Sequence, residues 1–321
     1  MVKLANTETA AQKKATRAAY GATLAELATE GVPVVAVDAD LTGSTTTKKL
    51  ADAGYAGRLF NCGIAEQNMI DVAAGLSLAG NIAFTGSFAV FGTGRAYDQI
   101  RNTVAYSKLD VKVAPSHAGV SVGPDGGSHQ MLEDISLMRG LPGMRVLVPA
   151  DYAAARAAIR VAAQTPGPVY VRMGRASVPA VYADGVELEI GRAYTLREGG
   201  DVTIVACGVE VEQAMIAADK LAAEGIEAEV IDAFCVKPLD EDTIAASVAK
   251  TGCVVVAEEH SVLGGLGSAV AEMLARRCPA PAEFIGVQDR FGKSGEFEEL
   301  LGYFHLDADA IVEAVKKVRA R

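Results

Sequence analysis

Asn61-Cys62-Gly63-Ile64-Ala65-Glu66-Gln67-Asn68 places a single carboxylate where a loop turns into a helix, and its flanks decide the fold. Downstream, Met69-Ile70-Asp71-Val72-Ala73-Ala74-Gly75-Leu76 is mostly small or apolar, which predicts a buried helix carrying Glu66 in its first turn, at the positive end of the dipole. Upstream, Val34-Val35-Ala36-Val37 reads as a strand buried on both faces, ending in Asp38-Ala39-Asp40-Leu41-Thr42-Gly43-Ser44. Open α/β sheets place ligands in the loops at strand C-termini, so Asp40 and Ser44 stand where chemistry is expected. They also suit an ordinary turn held by their own side chains. Glu66 has two readings as well. It can satisfy free amides at a helix start, or it can be a carboxylate kept dry, with its pKa raised by desolvation, to exchange a proton with a bound nitrogen base.

Strand and helix patterns alternate along the remaining chain. Strands are expected at 82–85, 111–114, 145–149 and 168–172, then at 202–207, 229–232, 253–257 and 284–287. Helices are expected over 7–29 with Asn6 as cap, over 95–107 and over 152–163. Residues 176–200 change character and read as a crossing, so two α/β domains are expected, 1–185 and a smaller 186–321. A length of 321 residues suffices for two cores.

The net charge of −10 argues against a chain built to wrap nucleic acid, yet a few cations in one cleft can still bind an anionic substrate. Five widely spaced cysteines without a CxxC pair suggest neither a disulfide framework nor a zinc site, and fit a reducing cytoplasm. No apolar run is long enough to cross a bilayer, and the N-terminus lacks an apolar signal core.

Three further places carry candidate residues. Phe88 and Phe91, three apart, read by themselves as core residues. The loop 116–130, Ser-His-Ala-Gly-Val-Ser-Val-Gly-Pro-Asp-Gly-Gly-Ser-His-Gln, is too long to be an idle connection, and it holds His117, Asp125 and His129 without metal-ligand spacing. Arg17 reads as an exposed helix arginine, and Arg175, after a strand, as a partner for surface acids. The Gly264-Gly265-Leu266-Gly267 run after a strand is not a dinucleotide fingerprint, because Ser268, Ala269 and Val270 follow it.

GIAEQN, TGSFAVFGTGRAYDQIR and SHAGVSVGPDGGSHQMLEDI occur in the order and spacing of the transketolase family, and EEHSVLGGLGS resembles an interface loop of related thiamine enzymes. The resemblance runs from about Ala15 to His305 and implies a thiamine-diphosphate-binding pyrimidine domain followed by a transketolase C-terminal domain. It implies that Glu66 meets the cofactor's aminopyrimidine, that Phe88 and Phe91 stack on that ring, and that Asp40 faces the thiazolium. It further implies that Arg17, Ser44, His117 and Arg175 bind substrate phosphate, Asp125 a sugar hydroxyl and His129 the reacting end of the donor. Gly94 stands where many transketolases carry a third aromatic, and Gln67 where one-chain enzymes have His. The family's Gly-Asp-Gly motif for metal and diphosphate does not occur in the chain. The resemblance therefore implies a split enzyme whose N-terminal transketolase subunit holds Mg2+ or Ca2+, joined in an α2β2 heterotetramer that transfers ketol groups between sugar phosphates. A deoxyxylulose phosphate synthase fragment, the β subunit of a 2-oxo acid dehydrogenase and a non-catalytic homologue are the alternatives.

Overall fold

The computed structural model describes residues 2–321 and contains two α/β units. The first is built on a seven-stranded sheet in the order Cys235–Lys237, Arg145–Leu147, Val169–Val171, Val111–Val113, Ile82–Gly86, Val34–Asp38, Leu59–Asn61. Its strands run parallel except for the Cys235–Lys237 edge. Alternate residues point to opposite faces, and both faces are covered. Val34, Ala36, Phe84 and Val171 share one apolar cluster with Leu24 and Ile159, from the helices Thr16–Thr29 and Tyr152–Gln164. Val35, Val37, Val113 and Tyr170 share the other with Ile70 of the helix Glu66–Leu78 and with Ile100 and Val104.

The second unit repeats this plan on five strands, ordered Ala282–Val287, Val254–Ser261, Val202–Ala206, Ala228–Asp232, Tyr194–Arg197, with the last antiparallel. Val202, Val230, Val255 and Ile311 lie in the same cluster as Leu24, so the two cores are continuous. The strand Cys235–Lys237 strengthens the join: it follows the second unit's Ala228–Asp232 in sequence but pairs with Arg145–Leu147 of the first sheet. Local pattern cannot reveal which sheet such a short edge strand joins.

Two helices differ from expectation. The helix expected over 7–29 is a single turn, Thr7–Ala10, capped by Asn6, and a helix proper from Thr16. Between them Lys14–Ala15 pairs antiparallel with Ser177–Val178, and Thr16 Oγ1 accepts from Gly174 N at 2.8 Å. Those partners lie some 160 residues away in sequence, so helical periodicity does not register them. The helix expected over 95–107 begins at Val90 and runs largely in wide π-type turns to Tyr106. Bonds from Gly92 N to Phe88 O (2.7 Å) and from Thr93 Oγ1 to Ala89 O (2.6 Å) start it early.

Glu210 is wholly buried in the first turn of the helix Glu210–Ala223, and neither carboxylate oxygen has a hydrogen-bond partner among the described residues. Burial, reinforced by Glu259, Asp307, Glu212 and Glu258, pushes its carboxyl well above the usual range. The folded chain keeps a proton that the unfolded chain releases, so this contribution to stability declines as pH rises from the ordinary carboxylate range toward the raised folded value. Glu210→Gln retains the shape without the charge. Melting measured from about pH 5 to about pH 8 should show the variant gaining on the wild type as pH rises. A gap that stays constant over that range would contradict the assignment.

Candidate active site

Glu66 opens its helix as expected, and no side chain caps the helix at Ala65. The turn before it is shaped by Gly63, at φ +68°, and by Asn61, whose Oδ1 accepts from Gly63 N at 2.9 Å and from Asp40 N at 3.1 Å. Asn61 thus ties the Asp40 loop to the Glu66 loop. The Glu66 carboxylate is only 3% exposed, and both of its oxygens lie 3.0 Å from Arg95 Nη1. The Arg95 guanidinium in turn covers the Phe91 ring, 4.6 Å from its centroid.

A continuous set of rings leads on from there. Phe91 and Phe88 lie nearly parallel with centroids 6.2 Å apart, and His117 stacks on Phe88 at 3.7 Å. His129 meets Phe91 edge-on at 5.4 Å, and its Nδ1 lies 2.9 Å from Ser128 Oγ. His117 is 2% exposed, takes φ +63°, and has its Nδ1 2.8 Å from Ser116 Oγ. Burial, then Arg17, Arg175 and His129, push the His117 imidazole down to about 3, so it is neutral at physiological pH.

The cationic end lies beside His117. Arg17 Nη1 donates to Ser44 O at 2.7 Å, and Arg175 Nη1 donates to Val122 O at 3.1 Å. Burial and the nearby Arg175 lower the pKa of Arg17. Among the described residues neither guanidinium forms an ion pair, so two positive charges stand unneutralised around one neutral imidazole. An open cleft of about 420 Å³ beside Arg17 is also lined by Lys13, Lys14 and Lys49. Such a set is suited to an anion.

The structure therefore brings together Glu66, Phe88, Phe91, His117, His129, Arg17, Ser44 and Arg175. Asp40 and Asp125 are exposed, and among the described residues no hydrogen bond joins either to this set. Asp40, at φ +63°, is held by Asn61, and Asp125 closes the turn Val120–Asp125. Two residues were missed in the sequence. Arg95 follows Phe91 by four residues, a spacing that could have flagged the pair. Asp38, not its exposed neighbour Asp40, is the buried acid of its loop: it accepts from Leu41 N (2.6 Å), Thr45 Oγ1 (2.7 Å) and Thr47 Oγ1 (2.8 Å). A Cβ on Gly86 would lie 2.6 Å from Asp38 Oδ2, which explains the glycine there. All five cysteines are free. Among the described residues no group of three or more His, Cys, Asp or Glu side chains could hold a metal ion, and no helix is long and apolar enough to cross a membrane.

A parallel sheet covered on both faces, with an acid, flat rings and cations around loops at its strand ends, is the architecture of an α/β cofactor enzyme. The family description "Transketolase, pyrimidine binding domain" matches residues 12–180, and "Transketolase, C-terminal domain" matches residues 191–311. The chain belongs to the transketolase family. It is 44% identical over 305 residues to a 6-deoxy-6-sulfo-D-fructose transketolase subunit from Clostridium sp. (strain MSTE9), covering 95% of this chain and 94% of that one. It is 38% identical over 308 residues to an apulose-4-phosphate transketolase subunit from Phocaeicola vulgatus, covering 94% of this chain and 98% of that one. A solved structure titled "Split gene transketolase, inactive beta4 tetramer" superposes with a TM-score of 0.88 at 48% identity, covering 96% of this chain and 99% of that one. Against one-chain transketolases the coverage is lopsided: 95% of this chain matches only 49% of the human enzyme. The chain is thus a subunit of the split kind of transketolase, and family membership implies thiamine diphosphate as cofactor. These relatives do not favour the synthase or dehydrogenase alternatives.

The depressed pKa of His117 gives a direct test. The unfolded chain takes up a proton near the ordinary histidine value and the folded chain does not, so this site costs stability as pH falls from about 6.5 toward about 3. In an NMR titration of the free chain, the His117 signal, identified by its loss in His117→Asn, should show no midpoint between about pH 5 and about pH 8. A His117 midpoint inside that window would contradict the geometry.

Proposed function

We propose that this chain supplies the pyrimidine-binding and substrate-binding half of a transketolase that moves a two-carbon ketol unit from a ketose phosphate to an aldose phosphate. The observation that carries the reading is the unbroken path from a buried carboxylate, Glu66, across Phe91 and Phe88 to His117 and the two unneutralised guanidiniums. The residues fit an aminopyrimidine by their chemistry. A planar, nitrogen-rich group already fills the space between Glu66 and the Phe91 face, namely the Arg95 guanidinium.

Thiamine diphosphate, when bound, would supply the carbon nucleophile that takes up the ketol unit. Glu66 would hold and move a proton at a pyrimidine ring nitrogen, Phe88 and Phe91 would flank that ring and exclude water, and Asp40 would lie toward the thiazolium. His129 would donate and accept at the reacting end of the donor, and Asp125 would orient a sugar hydroxyl. Arg17, Ser44, His117 and Arg175 would bind the terminal anion. Two relatives are named for 6-deoxy-6-sulfo-D-fructose and apulose-4-phosphate, sugars that share an anionic end, which supports that assignment. Pentose phosphates belong to this class. Mg2+ or Ca2+ and the diphosphate would be held by an N-terminal partner subunit in an α2β2 heterotetramer, and five free cysteines suit the cytoplasm.

The main test is reconstitution. The purified chain with saturating thiamine diphosphate and magnesium should show no ketol transfer, and adding the diphosphate-binding subunit should restore it. The inactive tetramer of the solved split-gene relative agrees in direction. In the reconstituted enzyme Glu66→Gln should lose most hydrogen exchange at the cofactor's thiazolium carbon. Robust turnover by the lone chain, or wild-type exchange in Glu66→Gln, would overturn the reading. A second measurement addresses the anion site. Losing one charge-assisted hydrogen bond costs roughly 1.5 to 3 kcal/mol, so Arg175→Ala should raise KM about tenfold or more for phosphorylated sugars and little for unphosphorylated ones. Equal effects on both would remove Arg175 from the phosphate site.

A further inference from the structure

The loop 116–130 is gripped from outside by the second unit. Glu259, in the strand Val254–Ser261, is 2% exposed, and its Oε1 accepts from Ser121 N at 2.5 Å. Two residues earlier, Gly119 takes φ +79°, and a Cβ there would lie 2.2 Å from the Glu259 carboxyl carbon. The carboxylate is therefore pressed against backbone where only glycine fits. Arg172 fixes its other side: Nη1 stands 3.7 Å from Glu259 Oε2, and Nη2 donates to Glu259 O at 2.8 Å. Farther along the loop, Gln130 Nε2 donates to Val120 O at 3.1 Å and to Lys293 O of the second unit at 2.9 Å.

A buried carboxylate is a costly way to fill space, and an apolar side chain of similar volume usually does as well. What it adds is a strong, directional acceptor. That acceptor holds the turn Val120–Asp125, whose Val122 O receives Arg175 Nη1, whose last residue is Asp125, and which His117 precedes by three positions. Fixing Ser121 therefore fixes the backbone on which the proposed anion site is assembled.

We propose that Glu259 is a positioning residue for ketol transfer, holding the turn Val120–Asp125 so that His117, Asp125 and Arg175 receive the sugar phosphate in register. This rests on reading 116–130 as the substrate loop. The test combines hydrogen exchange by mass spectrometry on the chain with kinetics of the enzyme reconstituted with its diphosphate-binding subunit. In Glu259→Gln, whose neutral amide oxygen accepts from Ser121 N more weakly than the carboxylate does, peptides from 116–130 should exchange severalfold faster, and KM for the ketose phosphate should rise by a similar factor. The cofactor dissociation constant should stay unchanged. Should Glu259→Gln fail to fold, Gly119→Ala displaces the carboxylate from the loop side, leaves the buried charges intact, and should shift exchange and KM in the same direction. Where both variants fold, their effects should be less than additive in the double variant. Unchanged loop exchange, or faster exchange with unchanged KM, would overturn the positioning role while leaving the transketolase reading intact. No ketol transfer by the reconstituted wild type would remove both.

Discussion

Asp134, Arg172 and Glu259 form a charge cluster almost without access to water, and the joint between the two units depends on it. One guanidinium serves two acids unequally. Arg172 Nε lies 2.7 Å from Asp134, whereas its nearest contact to the Glu259 carboxylate is 3.7 Å. The difference shows in the protonation of the two acids. Burial pushes Asp134 up, but Arg172 and His260 more than offset it and hold the carboxyl below its usual range. For Glu259 burial wins over Arg172 and the Ser121 amide, and the carboxyl stays above its usual range. Removing one partner of such a buried set costs roughly 3 to 5 kcal/mol, since it strands the others in low dielectric. The cluster therefore pins three elements at once: Arg172 follows a strand of the first sheet, Glu259 lies in a strand of the second, and Asp134 opens the helix that follows the loop 116–130.

Much of the fold was legible because burial on both faces leaves a plain mark in sequence. Val34-Val35-Ala36-Val37 and Val202 to Ala206 are apolar runs that become central parallel strands, and the small residues after Glu66 become a packed helix. Two departures fall where a distant partner overrides local pattern. Lys14–Ala15 leaves the helix register because Ser177–Val178 pairs with it, and Cys235–Lys237 joins the first sheet from within the second unit. Three-residue strands such as Leu59–Asn61 are too short for periodicity to register.

The sequence offered candidate site residues one at a time, without their connectivity. Motif order supplied Glu66, Phe88, Phe91, His117, His129 and Arg175 as separate expectations, with nothing to say which would touch. The Arg95 bridge from Glu66 to Phe91 and the stacking of His117 on Phe88 are tertiary facts. So is the exposure of Asp40 beside the buried Asp38, two acids that sequence cannot rank by burial when both sit in the same turn. Glu259 was hidden for another reason: it lies in an apolar strand of the other unit, where an acid reads only as an interruption.

The same electrostatics explain how an acidic chain could hold an anionic sugar. With a net charge of −10, long-range attraction does not draw a phosphate in, so the cleft must act at short range. Arg17 and Arg175, both half-buried, already repel one another, and protonating the buried His117 beside them would add a third positive charge. Keeping His117 neutral avoids that cost in the free chain and leaves it able to accept as well as donate a hydrogen bond. A bound dianion reverses the balance: it attracts both guanidiniums and favours the imidazolium, so the imidazole pKa rises when the anion arrives. The empty pocket thus holds two guanidiniums around a neutral imidazole and stays modestly charged until an anion arrives, a polarity that neither the composition nor any single motif encodes.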